Sequence, residues 1–263
     1  MLLEIESLSV SYRDAAGAVV SAARGVSLSL DRGEVLGLVG ESGSGKSSVA
    51  LSVPRLLPSP PAFYPEGRIL FEGRDVLRMS IDELRRIRGD RIGVVFQDPM
   101  GSLSPLWRIG DQLVETMLLH RDVSKAAARE IALEWLGKVS LPDPARVARA
   151  YPHELSGGMQ QRVMIAMALM LDPALVIADE PTTALDVTVQ KDILSLVKKL
   201  HAASSAVLLI SHDLGVVSFL STKLAVMKDG EVVERADDVP AFFAHQAHPY
   251  SRALVAEARK MSV

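Results

Sequence analysis

The run Gly40 to Ser48, GESGSGKSS, fits the spacing G-x-x-x-x-G-K-[ST], with Gly40, Gly45, Lys46 and Ser47 in the fixed places. Those residue types suit phosphate chemistry. Gly40, Gly43 and Gly45 allow backbone conformations closed to larger residues, so several N–H groups can converge on one anion at the start of a helix. Lys46 can then reach the β- and γ-phosphates, and the Ser47 hydroxyl can bind Mg²⁺. Glu41, Ser42, Ser44 and Ser48 complete the nucleotide-contacting stretch.

Two more stretches carry chemistry. Leu175 to Ala178 is an apolar run that ends in Asp179 and Glu180. A strand of this kind holds a carboxylate at the edge where open α/β sheets bind ligands, which suits Asp179 to the metal held by Ser47. Glu180, beside it, can serve as general base to a water in line with the γ-phosphate. In Leu155 to Arg162, LSGGMQQR, Ser156 can cap a helix whose first N–H groups Gly157 and Gly158 leave exposed. By chemistry alone that stretch reads equally well as an ordinary capped helix. Tyr12 ends the first strand, where an aromatic ring can lie on an adenine or can be a half-buried strand tyrosine.

These groups need strands and helices to hold them. Val35 to Val39 reads as a buried strand that feeds the glycine loop, and a helix follows from Lys46, with Pro54 predicting a kink or an early end near Ser52. Leu3 to Ser11 and the alternation Val26, Leu28, Leu30 predict half-buried strands, with a polar turn at Asp14 to Gly17 between them. Prolines 58, 60, 61 and 65 predict an extended loop before a strand at Arg68 to Phe71, and Ser80 with Glu83 predicts a capping box. A strand at Arg91 to Phe96 delivers Gln97. Helices follow at Ile109 to Leu119 and at Lys125 to Val139, the latter capped by Ser124. Alternation resumes with Leu175 to Ala178, Val187 to His201 and Val207 to Ile210, then a hairpin of Leu224 to Met227 and Val232 to Glu234 across Asp229-Gly230.

The 263 residues carry a net charge of -3 and no block of consecutive Lys or Arg, which argues against nucleic acid as a partner. With no cysteine, disulfides, thiolate metal sites and iron–sulfur clusters are excluded in this sequence. The N-terminal alternation is not that of a signal peptide, and no apolar run is long enough to span a bilayer, so the expected place is cytosolic.

With a Walker A loop before it and LVIADEP after it, LSGGMQQR resembles the signature of the ATP-binding-cassette (ABC) family. Met159 stands where glutamine is usual. The resemblance covers nearly the whole chain and implies an α/β P-loop NTPase core with an antiparallel β subdomain and an inserted helical subdomain. The expected partition is a single domain, 1–263, with core at 1–97 and 160–235, helical signature subdomain at 98–159 and tail at 236–263. It also implies ATP and Mg²⁺ as cofactors. Tyr12 becomes the adenine platform, Gln97 the residue that senses Mg²⁺ and the permease, Asp186 the D-loop aspartate and His212 the switch histidine on the γ-phosphate. The signature residues Ser156, Gly157 and Gly158 then complete a partner domain's site.

Phe96 to Met100 with Ser102 to Pro105, IADEPTTALDVTVQ, and His248 to Leu254 resemble the ATPases of oligopeptide, dipeptide and nickel importers. The resemblance implies an energy-coupling subunit on the cytoplasmic face of the membrane. Its partners are permease subunits, a second similar ATPase and, indirectly, a substrate-binding protein. Many peptide-importer members carry a cysteine-bearing extension, and its lack here shifts the balance slightly towards the shorter nickel or metal-chelate importers, with the cargo left open between peptides and nickel or metal chelates. Leu103, Leu106 and Trp107 are expected to be partly exposed for docking to the permease. A soluble ABC ATPase of DNA repair or chromosome maintenance is the alternative, which would need long coiled-coil or zinc-bearing insertions. Exporter ATPases and P-loop kinases fit less well.

Overall fold

A computed structural model describes residues 1–182, 187–200 and 205–261. Their contacts divide the chain into two compact units, Met1–Leu84 with Ala203–Val263, and Arg85–Ala202. The first unit opens with β1 (Leu3–Arg13), β2 (Val19–Leu30), β3 (Val35–Val39), α1 (Lys46–Ser52), β4 (Ala62–Phe71) and β5 (Arg74–Asp75). Through α2 (Ile81–Ile87) the chain enters the second unit: β6 (Ile92–Val95), α3 (Pro99–Ser102), α4 (Ile109–His120), α5 (Lys125–Lys138), α6 (Pro144–Arg149), α7 (Gly157–Leu169), β7 (Leu175–Asp179) and α8 (Val187–Leu200). It returns to the first unit with β8 (Ala206–Ser211), α9 (Leu214–Leu220), β9 (Lys223–Lys228), β10 (Glu231–Ala236), α10 (Val239–Ala244) and α11 (Pro249–Met261).

In the first unit an antiparallel sheet runs β2-β1-β4-β5. Alternation buries Leu3, Ile5, Leu8 and Val10 of β1 against Val26, Leu28 and Leu30 of β2 and Ile69 and Phe71 of β4. Beside it, β3 is buried along its whole length between parallel neighbours β8 and β9, as a strand covered on both faces must be apolar throughout. β10 pairs antiparallel with β9 across Asp229 (φ 51°) and Gly230 (φ 85°), the two positive angles a tight hairpin requires. α1 stops at Ser52, two residues before Pro54, as expected from the missing N–H.

β4 starts at Ala62, six residues earlier than the proline-rich stretch suggested. Pro65 falls where the β1–β4 register shifts between Ser9 and Ser11, so its lack of a donor breaks no regular ladder bond. The Ser80–Glu83 capping box forms: Glu83 Oε2 accepts from the Ser80 N–H at 2.8 Å, and Ser80 Oγ accepts from the Glu83 N–H at 3.3 Å.

In the second unit β6 and β7 are parallel, with Val95 opposite Ala178. α7 packs on β6, and α4, α5 and α6 pack on one another through Leu113, Ala128, Ala132, Leu136 and Val147. Side chains cap these helices where the sequence turns polar. Asp98 accepts from Met100 N–H, Ser124 from Ala127 N–H and Asp143 from Arg146 N–H. Arg162, of the signature stretch, donates from Nη1 to the Val139 carbonyl at 3.1 Å and so ties α7 to the end of α5.

Candidate active site

In the first unit, β3 delivers the P-loop and β8 delivers His212. The strands are parallel neighbours with Val39 opposite Ser211, so Gly40 and His212 leave adjacent carboxyl ends, the edge where open α/β sheets take ligands. The loop has the shape its glycines permit. Gly40 sits at φ 152° and Gly45 at φ 96°, and a Cβ at either would lie 2.1 Å from the Met227 carbonyl or 2.0 Å from the Ala22 carbonyl. No larger residue fits at those two positions. Glu41, Ser42 and Gly43 are exposed at the mouth of the loop, while Ser44 is buried. Gly45 caps α1 with no side-chain acceptor. Lys46 is only 4% exposed, and its Nζ donates to the carbonyls of Gly40 (2.8 Å) and Glu41 (2.7 Å) and to Ser44 Oγ (3.2 Å). Tyr12 lies beside this helix, its hydroxyl 3.0 Å from Ser48 Oγ.

In the second unit, β6 and β7 deliver Gln97, Asp179 and Glu180 from adjacent parallel ends. Gln97 Nε2 donates to Glu180 Oε2 at 3.0 Å, so one amide orients the carboxylate expected to act as base. Asp179, the last residue of β7, is buried, and Glu180 takes φ 47°, in the left-handed region. Such a conformation costs a non-glycine residue about 1–3 kcal/mol and turns the side chain away from the strand's alternation. At the start of α7, Ser156 Oγ accepts from Met159 N–H at 3.4 Å. Ser156 and Gly157 are exposed, Gly158 is half-buried, and nothing lies within 4 Å of where a Gly157 Cβ would point. Asp186 lies outside the described residues. The oxygen donors of Ser47, Asp179 and Gln97 are of the hard type that Mg²⁺ takes.

The expectation for Leu103 is corrected: it is 2% exposed, whereas Leu106 (83%) and Trp107 (48%) are exposed. α3, capped by Asp98 and closed by the Ser102 hydroxyl on the Asp98 carbonyl (2.7 Å), turns Leu103 inward. The residue that shapes the exposed loop is Gln112, which its sequence context did not reveal. Its Oε1 accepts from Ser104 N–H (2.9 Å), and its Nε2 donates to the carbonyls of Ser104 (3.1 Å) and Trp107 (3.0 Å). Beside that loop is a groove of about 650 Å³, lined among others by Leu106, Trp107, Val114, Leu118, Leu119 and Tyr151.

Residues 23–183 match the family model described as ABC transporter. The chain belongs to the ABC transporter family. The sequence of this ABC ATPase is 46% identical over 256 residues to the oligopeptide transport ATP-binding protein OppD of Bacillus subtilis (strain 168), covering 97% of this chain and 71% of that protein. It is 45% identical over 263 residues to the dipeptide transport ATP-binding protein DppD of the same strain, covering 100% and 78%. Its fold is similar to that of the ATP-binding cassette MJ0796, described as dimeric, post-hydrolysis and bound to ADP and phosphate. The TM-score is 0.79 at 32% identity, over 89% of this chain and 97% of that one.

Proposed function

We propose that this ABC ATPase is the energy-coupling subunit of a peptide importer. The observation that carries the reading is that similarity to dipeptide and oligopeptide transport subunits extends through the C-terminal residues beyond the family model, to 100% of the chain for DppD. Among the described residues no helix is long and apolar enough to cross a membrane. By likeness to the oligopeptide and dipeptide transport ATP-binding proteins, the proposed place is the cytoplasmic face of a membrane, against permease subunits that receive cargo from a substrate-binding protein.

The roles follow from the residues. Tyr12 stacks on adenine. Backbone N–H groups of the Gly40–Ser48 loop other than that of Glu41 receive the phosphates, and Lys46 exchanges its loop carbonyls for β- and γ-phosphate oxygens. Ser47, Asp179 and Gln97 are the proposed ligands of Mg²⁺, which supplies charge neutralisation at the phosphates. Glu180, oriented by Gln97, takes the proton of the attacking water, and His212 contacts the γ-phosphate. Ser156, Gly157 and Gly158 serve the site of a second, similar ATPase, and Asp186 keeps its sequence-based assignment to the D-loop. The groove beside Leu106 and Trp107 is the proposed seat of a permease helix, since exposed aromatic and aliphatic side chains are the anchors such contacts use.

The test is ATP turnover in proteoliposomes that hold the chain with its permease, partner ATPase and binding protein. Short peptides should stimulate turnover several-fold. Stimulation by a nickel chelate and not by peptides would contradict the peptide assignment.

A further inference from the structure

α11 opens with the His248-Pro249-Tyr250 motif, to which the ATPase cycle above gives no task. Tyr250 is half-buried, and its hydroxyl accepts a hydrogen bond from the Glu41 N–H at 3.1 Å. That N–H belongs to the Gly40–Glu41 peptide, whose carbonyl accepts from Lys46 Nζ at 2.8 Å. Before nucleotide arrives one peptide plane is thus held at both edges, by the C-terminal tyrosine and by the P-loop lysine, and when Lys46 turns to the phosphates the tyrosine's bond is the one that remains. The peptide has little freedom elsewhere, because Gly40 is wedged against the Met227 carbonyl.

The aim of the tyrosine is itself fixed. Lys228 Nζ lies 5.1 Å from the centre of its ring, within cation–π range. The Glu234 carboxylate accepts from the N–H groups of Ala247 (2.8 Å) and His248 (2.9 Å). His248 Nδ1 accepts from Tyr250 N–H at 3.2 Å, and Arg252 Nη1 donates to the carbonyls of Ala247 (2.8 Å) and Gln246 (3.2 Å). Burial raises the Tyr250 phenol above its ordinary value of 10.0, so it is a neutral hydroxyl at neutral pH.

We propose that Tyr250 is a positioning residue for the P-loop: its hydroxyl fixes the Gly40–Glu41 peptide in the shape that receives the triphosphate, which makes nucleotide affinity depend on α11. The proposal rests on the reading of Gly40 to Ser48 as the ATP-binding loop. It deepens that reading by giving the C-terminal motif a part in it.

The test uses the full chain as wild type, Tyr250→Phe and Lys46→Ala, with three readouts: titration with a fluorescent ATP analogue, thermal unfolding, and amide hydrogen exchange. Tyr250→Phe keeps the ring and its contact with Lys228 and removes only the hydroxyl. Its Kd should rise about three- to tenfold, the range one neutral hydrogen bond supports, with Tm lowered by no more than about 4 °C. Glu41 N–H should exchange faster while the amides of α11 keep their protection. An unchanged Kd overturns the proposal, as does a weaker Kd accompanied by lost protection along α11, which marks general loosening. If wild type binds the analogue no better than Lys46→Ala, the ATP-binding reading itself fails, an outcome distinct from an unchanged Tyr250→Phe.

Discussion

Glu180 combines a left-handed backbone with a hydrogen bond from Gln97, a pairing expected of a residue held for reaction and not for packing. Glu180→Gln should therefore lower ATP turnover by about 10²–10⁴ while the nucleotide stays bound, measured as steady-state hydrolysis and retained ATP. Near wild-type turnover would remove Glu180 from the role of base. Glu180 was legible in the sequence because a strand run ending in two carboxylates after a Walker loop is a local pattern. Gln112 was not, because what buries it is a loop eight residues upstream, and a glutamine in an amphipathic helix otherwise reads as solvent-facing. Gln112→Ala strands the Ser104 N–H and two carbonyls, and should cost about 1–3 kcal/mol in denaturant unfolding. It should weaken assembly with the permease and leave ATP binding by the isolated chain unchanged.

At the scale of elements, periodicity located the buried strands and long helices well, since apolar spacing is set by each element's own geometry. It failed where a tertiary partner decides. β4 extends through Pro65 because β1 is there to pair with it across a bulge, and Leu103 turns inward because a one-turn helix precedes it. α11 depends on a partner of the same kind. Burial disfavours a charge on Glu234, yet the Ser251 side chain and then the backbone N–H groups of residues 247 and 248 together outweigh it, and the carboxyl is held below its ordinary value of 4.5. A lowered folded-state pKa contributes stability in full above that ordinary value and loses it as pH falls through the folded one. Amide protection at Ala247 and His248 should thus be constant near neutrality and fall in acid below pH 4.5, earlier than in the rest of the chain. Glu234→Gln should show the reduced protection already at neutral pH. Constant protection in acid would mean that Glu234 does not anchor the segment.

For the molecule as a whole, the account holds that one chain makes half of each working site. It carries a single P-loop and a single LSGG sequence, and Ser156 and Gly157 stand exposed at the start of a 13-residue helix. The similar cassette MJ0796 is described as dimeric. The order of the motifs in the sequence suggests this organisation, whereas nothing in this chain names a second ATPase. The most direct test is fluorescent ATP titration of isolated Ser156→Arg beside Lys46→Ala, with light scattering of Ser156→Arg in a Glu180→Gln background when mixed with the partner ATPase. The account predicts wild-type ATP affinity for Ser156→Arg, a large loss for Lys46→Ala, and no ATP-driven association for Ser156→Arg. If Ser156→Arg weakens ATP binding by the isolated chain as much as Lys46→Ala does, the signature acts on its own chain's nucleotide and the two-subunit account is wrong.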